Sequence, residues 1–181
     1  MIFQAPADYI ARCKADPIPV LPIPMVAEYL NITPAAVVGR AGRGALELFE
    51  IGKTKMVTVR SLLTLEEDKE RKVATVRREL ELLARKGQRR VFYEPIMSAI
   101  DLSWRVPAHR TEIGRILGVV SERTNEEDGL MLSVLVHQKK AGRTLPGPGF
   151  FGLADDLGFT WEDNHAFVED QTDRVLEKYR T

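Results

Sequence analysis

The sequence predicts a helix-rich α+β fold made of two small globular parts joined by a charged helix. Three observations predict it. Residues 24–64 hold two short helical patterns followed by a β-hairpin pattern. Residues 65–90 form one long charged stretch that is acidic at its start and basic at its end. Residues 91–181 alternate helical stripes with one alternating apolar run. With 181 residues, 44% of them apolar, the chain can bury one core or two small ones.

Residues 1–23 read as an arm, with a short helix around Ala7–Cys13 and then an extended stretch. Pro17, Pro19, Pro22 and Pro24 alternate there with Ile18, Val20, Leu21 and Ile23. Each proline fixes its own φ and disfavours helix in the residue before it. From Met25 to Leu30 the spacing is helical, with Val26, Tyr29 and Leu30 on one face. Asn31-Ile32-Thr33 forms a turn, Thr33 is placed to cap a second helix, and Pro34 fits its first position. That helix runs through Arg40 and is stopped by Gly42 and Gly44. Leu48 to Thr58 is two β-prone runs around Gly52, a hairpin pattern.

This order resembles the winged helix-turn-helix of MerR-type regulators and phage excisionases. The residues that carry the resemblance are Val26-Ala27-Glu28-Tyr29-Leu30-Asn31-Ile32-Thr33, then Val37 and Gly44, then Leu48-Phe49-Glu50-Ile51-Gly52-Lys53, and finally Val59-Arg60-Ser61-Leu62. It covers residues 24–64. The resemblance implies that the second helix, Thr33 to Arg40, enters a DNA major groove and that the hairpin, Gly52 to Lys55, contacts phosphate. One departure is plain. The second helix offers Ala35, Ala36, Val38 and Gly39 where base reading needs hydrogen-bonding forks.

Residues 65–90 are expected to be a connecting helix. Glu66, Glu67 and Asp68 at its start and Arg85, Lys86, Arg89 and Arg90 at its end suit the helix dipole. Val73, Val76, Leu80 and Leu83 make an a/d seam of two heptads. Two uses of the seam stay open, dimerisation and packing on the C-terminal domain, and the resemblance leans toward a homodimer.

Residues 91–181 are expected to form a small α+β domain. Val91-Phe92-Tyr93 reads as a strand, and Pro95 to Leu102 as a helix with Ile96, Ala99 and Ile100 inside. Trp104 to Pro107 is a connector. Glu112 to Arg123 is an amphipathic helix with the stripe Ile113, Ile116, Leu117 and Val120, followed by a polar loop from Asn125 to Gly129. Leu130 to His137 alternates as a strand. Phe150 to Leu157 is a helix closed by Gly158. Thr160 is placed to cap a last helix striped by Trp161, His165, Val168, Thr172, Val175 and Tyr179.

The chemistry-bearing residues are few. The basic hairpin Lys53-Thr54-Lys55 with Thr33, Arg40, Arg43 and Arg60 is the nucleic-acid candidate, because phosphate contacts need Lys, Arg and backbone amides. Lys139, Lys140, Arg143, Gly147 and Gly149 make a loop able to hold an anion at a helix start, against a plain Pro-Gly turn. Ser133 and His137 lie four apart on a strand, about 13 Å at the backbone, too far for a dyad. His109, His137, His165 and Cys13 lack metal-ligand spacing, and Glu126-Glu127-Asp128 and Asp155-Asp156 read as solvated surface. No catalytic residue, metal or cofactor is expected.

Net charge is zero, but residues 1–92 hold 16 Lys/Arg against 11 Asp/Glu, and residues 93–181 hold 10 against 15. A basic front and an acidic back suggest different partners. One cysteine, no apolar run near the ~20 residues of a membrane helix and no signal-like N-terminus point to the cytoplasm. The expected function is a DNA-binding regulator or accessory protein, with DNA as partner and a protein partner for the C-terminal domain. The alternatives are a protein-interaction module of phage or plasmid type and an enzyme acting on nucleic acid near His137.

Overall fold

The computed structural model describes residues 2–3, 10, 12, 14, 17–139 and 144–180. It is helix-rich α+β and divides into two compact units, Met1–Glu70 and Arg71–Thr181. The expected helix around Ala7–Cys13 lies largely outside the described residues.

In the N-terminal unit, β1 (Ile2–Phe3), β2 (Val20–Pro22), β3 (Leu48–Ile51) and β4 (Thr54–Thr58) form one sheet in the order β1-β3-β4-β2. β3 and β4 are an antiparallel hairpin in which Ile51 pairs with Thr54, leaving a two-residue turn. Gly52 takes φ 57° there, a value open to glycine and strained for most other residues. β2 pairs antiparallel with β4, so the proline-rich arm is a sheet edge, where a missing amide is tolerated.

Helix α1 (Ile23–Tyr29) starts earlier than its apolar spacing suggests. Pro24 is not part of the extended arm but sits in the first turn, where its absent amide would have had no partner. Val26 and Ala27 are buried, whereas Tyr29 is 60% exposed and its hydroxyl donates to Glu66. Tyr29 therefore leaves the predicted apolar face, and Ala27 takes its place. Asn31 closes the turn at φ 49°, a conformation asparagine tolerates. Helix α2 (Pro34–Gly42) begins as its sequence says, with the Thr33 hydroxyl accepting from the Ala36 amide at 3.2 Å. Val26, Ala27, Val37, Leu46, Val57 and Leu62 are the core of this unit.

Helix α3 (Val59–Arg85) is displaced from the expected 65–90. It starts directly from β4, with the Thr58 side chain accepting from the Ser61 amide. Its first turn carries no acidic residue, so Glu66, Glu67 and Asp68 do not cap it, and Lys86, Arg89 and Arg90 lie beyond its end. The division between the units falls within α3. Its seam is used inside the chain: Val73, Val76, Leu80 and Ala84 are buried in the C-terminal core, with Leu83 partly buried beside them.

The C-terminal unit surrounds that core with α4 (Tyr93–Ser98), α5 (Pro107–Asp128), α6 (Pro148–Asp156) and α7 (Asn164–Tyr179). β5 (Val91–Phe92) and β6 (Val136–His137) form a two-stranded parallel pair. Several expectations need correction here. Tyr93 opens a helix instead of ending a strand, and Met97, not Ala99, is buried with Ile96 and Ile100. The stripe Ile113, Ile116, Leu117 and Val120 is buried as expected, but α5 continues through the supposed polar loop to Asp128 and stops at Gly129, φ 67°.

The segment Leu130 to His137 is not a strand. It is a 3₁₀ turn, Leu132–Leu135, and then the two residues of β6. All eight residues are buried, so alternation did not separate a wet face from a dry one, and a short apolar run has no period that decides its structure. The last helix is capped by Asp163, whose carboxylate accepts from the Ala166 amide at 2.8 Å, and not by Thr160. A carboxylate at a helix start gains from the dipole as well as from the hydrogen bond. Phe167, Val168, Gln171, Thr172, Val175 and Tyr179 form its buried stripe. His165 is exposed, and Trp161 precedes the helix with its ring stacked on Phe167 at 4.6 Å. No helix among the described residues is long and apolar enough to cross a membrane.

Candidate nucleic-acid interface

The six residues expected to meet nucleic acid fall on three elements. Thr33 is at the start of α2, and Arg40 and Arg43 are at its end, roughly 14 Å away for nine helical residues. Arg40 is half-buried in the last turn, and its carbonyl accepts from the Ala45 amide, which folds the chain back toward β3. Arg43 is exposed, and one guanidinium nitrogen lies 3.5 Å from where a Cβ on Gly39 would stand. The guanidinium thus lies beside the Gly39 backbone of α2, at a distance that a Cβ there would also tolerate.

Lys53 occupies the hairpin turn and is exposed. Lys55 is different. It faces Glu50 directly across the hairpin, and the two are ion-paired at 3.1 Å. Cross-strand neighbours of opposite sign attract, so half of the expected basic hairpin is neutralised by its own strand. Arg60 is exposed in the first turn of α3. Among the described residues, Arg40, Arg43, Lys53 and Arg60 have no carboxylate partner. The exposed side chains of α2 are Pro34, Ala35 and Val38, with Gly42 and Arg43 at its end.

The observed division also changes the charge argument. Cut at residue 70, the N-terminal unit holds eight Lys/Arg against nine Asp/Glu, so it is not a basic front. The excess counted over residues 1–92 came from the second half of α3 and the segment after it. Basicity is local instead: residues 31–60 hold five Lys/Arg against two Asp/Glu.

Among the other candidates, the serine, histidine and acidic groups form no common centre. Ser133 receives a hydrogen bond from the Ser121 hydroxyl at 2.6 Å, while His137 Nδ1 lies 3.0 Å from the Thr144 carbonyl. They are separate structural groups. Burial holds the His137 imidazole below its ordinary pKa, against the opposing hydrogen bond to Thr144, and its Nε2 is buried without a partner. His109 Nδ1 accepts from the Ser103 amide at 3.0 Å. Glu127 binds Arg77 through both oxygens, at 2.7 and 2.6 Å, and Asp128 binds Lys178. Those two acids are therefore ion-paired, with Glu127 still exposed and Asp128 half-buried. No group of three metal-ligating side chains occurs among the described residues. Of the expected anion loop, Lys140 and Arg143 lie outside the described residues. Lys139 is exposed, and Gly147 and Gly149 flank the start of α6.

Gly147, Gly149 and Ser133, each a candidate in the sequence, line one half-open cleft of about 310 Å3 in the C-terminal unit, together with Trp104, Arg110, Gly114 and Gly118 among others, which sequence reasoning missed. The signal that could have found the missed wall is the spacing Arg110, Gly114, Gly118, each four apart on α5.

The N-terminal unit is thus a small α+β module whose cations on a helix end and a hairpin turn have no carboxylate partner among the described residues. Comparison of the chain with protein-family models, with curated proteins and with solved structures finds no match.

Proposed function

We propose that the N-terminal unit is a winged helix-turn-helix that binds duplex DNA, and that the chain is a DNA-binding regulator or accessory protein. The observation that carries this reading is the placement of Arg43 and Lys53. Both are exposed and, among the described residues, without a carboxylate partner, one at the end of the second helix of a two-helix turn and one at the tip of the hairpin that follows. Free cations on protruding elements are what phosphate contacts require.

The exposed face of α2 refines the reading. Pro34, Ala35 and Val38 bring methyl and methylene surface and no hydrogen-bonding fork. Base discrimination then rests on Thr33, Arg43 and apolar contact with thymine methyls, and most of the affinity is electrostatic.

A mobility-shift titration on duplex DNA at about 50 and 200 mM salt tests this. Wild type should bind at low salt and weaken steeply as salt rises. Arg43→Ala/Lys53→Ala should lower the slope of log K against log salt by about 2. Lys55→Ala should change it less, since Glu50 already neutralises that lysine. Absence of binding at low salt, or binding that ignores salt, rejects the proposal.

A second reading, a protein-interaction module, is favoured by the exposed apolar side chains of the same unit. Met25, Tyr29, Val38 and Leu63 are each more than 40% exposed. A stoichiometric protein partner that is lost on Val38→Asp, with no DNA shift, selects it.

A further inference from the structure

The cleft in the C-terminal unit has three features that its own packing does not account for. The first is a pair of glycines inside a helix. Gly114 and Gly118 lie within α5, and a Cβ built on either meets nothing within 4 Å. Glycine in a helix interior costs about 1 kcal/mol relative to alanine. No neighbour in the protein requires these two. What a side chain there would enter is the cleft, which both residues line.

The second feature is an unpaired cation beside an open aromatic face. Arg110 stands one turn before Gly114 on the same helix face. Its guanidinium lies 5.7 Å from the Trp104 ring centre, and one nitrogen donates to the Trp104 carbonyl at 3.0 Å. It has no carboxylate partner among the described residues. Trp104 packs against Tyr93 at 5.4 Å between ring centres, yet remains 44% exposed. Arginine is therefore held over an indole, with donors left for an anion.

The third feature is the opposite wall. Gly147 precedes α6 without a capping side chain, and a Cβ on it would stand 2.7 Å from Gln138 Nε2 and 3.1 Å from the Tyr93 hydroxyl. A side chain there would have to displace the Gln138 amide. The Gly149 amide, at the second position of α6, has no acceptor among the described residues. At the inner end, Ser133 is 6% exposed and held by Ser121.

From these we infer that the cleft binds a small planar aromatic molecule bearing one oxyanion group. The ring lies along Trp104 and over the bare backbone of Gly114 and Gly118, and the oxyanion meets Arg110 and the amide end of α6. A volume of about 310 Å3 is at the small end for ligand sites, so one or two rings fit and a dinucleotide does not. A carboxylate and a phosphate share the required chemistry. The inference does not depend on DNA binding by the other unit.

Titration calorimetry on the full chain tests it, with indole-3-carboxylate, benzoate and adenosine monophosphate as oxyanion probes and indole-3-carboxamide as the neutral match. At least one oxyanion probe should bind saturably below about 10 mM, and indole-3-carboxamide at least about tenfold more weakly than indole-3-carboxylate if the latter binds. Binding of adenosine monophosphate alone assigns the oxyanion to a phosphate, binding of the carboxylates alone to a carboxylate. Arg110→Gln should weaken the oxyanion probe roughly tenfold without altering the circular dichroism spectrum. Gly118→Leu, which fills the cleft and leaves Arg110 in place, should abolish binding while the chain stays folded. No saturable heat from any probe, equal binding of acid and amide, or full binding by Gly118→Leu overturns the inference.

Discussion

The two units handle positive charge differently. In the C-terminal unit, cations connect elements: Lys72 of α3 to Glu112 of α5, Arg77 of α3 to Glu127 of α5, and Lys178 of α7 to Asp128 of α5. Arg89, just past α3, reaches both Glu169 and Asp173 on α7. In the N-terminal unit, Arg40, Arg43, Lys53 and Arg60 meet no carboxylate among the described residues. Net charge does not explain the contrast, because the units hold eight against nine and eighteen against seventeen basic and acidic residues. Placement does. Charges on facing helices close on one another, whereas charges at a helix end and a hairpin tip have no facing element. A near-neutral module can still present a cationic surface, and a whole-chain charge tally misses it.

The cores differ in the same direction. The C-terminal core gathers residues from α3 to α7, while the N-terminal core is a cluster of six buried side chains. The largest expected effect tests which unit α3 serves. Leu80 is fully buried within the C-terminal cluster. Leu80→Ala should lower that unit's stability by about 2–5 kcal/mol. Trp104 and Trp161 both lie in the C-terminal unit, so tryptophan fluorescence in urea reads it selectively. The midpoint shift should not vary with protein concentration. A concentration-dependent shift would mean that the seam is shared between chains and would break the comparison.

The charge contrast itself gives a smaller effect. Arg77 donates to both oxygens of Glu127 and also to Glu81 at 2.8 Å, which raises its pKa and lowers that of Glu127. The groups are partly exposed, so solvent screens them. A double-mutant cycle on Arg77→Met and Glu127→Gln should give a small favourable coupling in the fluorescence-detected transition, well below the loss from Leu80→Ala. Arg43→Ala and Lys53→Ala, with no partner to lose, should each change stability by under about 0.5 kcal/mol while weakening DNA binding. Equal stability losses in the two sets would show that the N-terminal cations are also structural.

Much of this was legible in the sequence, for identifiable reasons. Thr33-Pro34 announced α2 because both residues act locally, one through its hydroxyl and one through its fixed φ. The hairpin was legible through Gly52, and the buried stripe of α5 through its 3.6-residue period. What failed needed distant partners. The alternation of Leu130 to His137 looked like a half-buried strand, but every residue in it is buried, between the end of α5 just before it and elements more distant in sequence, such as α7, whose Gln171 accepts from the Met131 amide. The division at residue 70 falls inside a continuous helix, where no proline, glycine or change of composition marks it. The cation site split for a similar reason. Lys55 and Glu50 look independent in sequence, and only the register that places them opposite each other turns one lysine into a paired group and leaves Lys53 free. The cleft joins residues from Tyr93 to Leu153; Gly147 and Gly149 of the expected anion loop, Ser133 and the glycine spacing on α5 are each visible in sequence, but nothing local says that they meet.

The smallest effect concerns pH and separates the units again, because His137 belongs to the C-terminal one. In the folded chain, burial keeps its imidazole below the ordinary value of 6.5, at which it titrates when unfolded. Above pH 6.5 the ring is neutral in both states and contributes no slope. As pH falls through 6.5, the unfolded chain takes up a proton that the folded ring resists, so stability decreases. The loss continues until the folded ring protonates as well. Between pH 6.5 and about 5, the fluorescence-detected midpoint of wild type should therefore decline. His137→Gln keeps a donor for the Thr144 carbonyl and removes the titration, and its midpoint should decline less over the same interval. Parallel declines in the two proteins would place the pH sensitivity elsewhere than at His137.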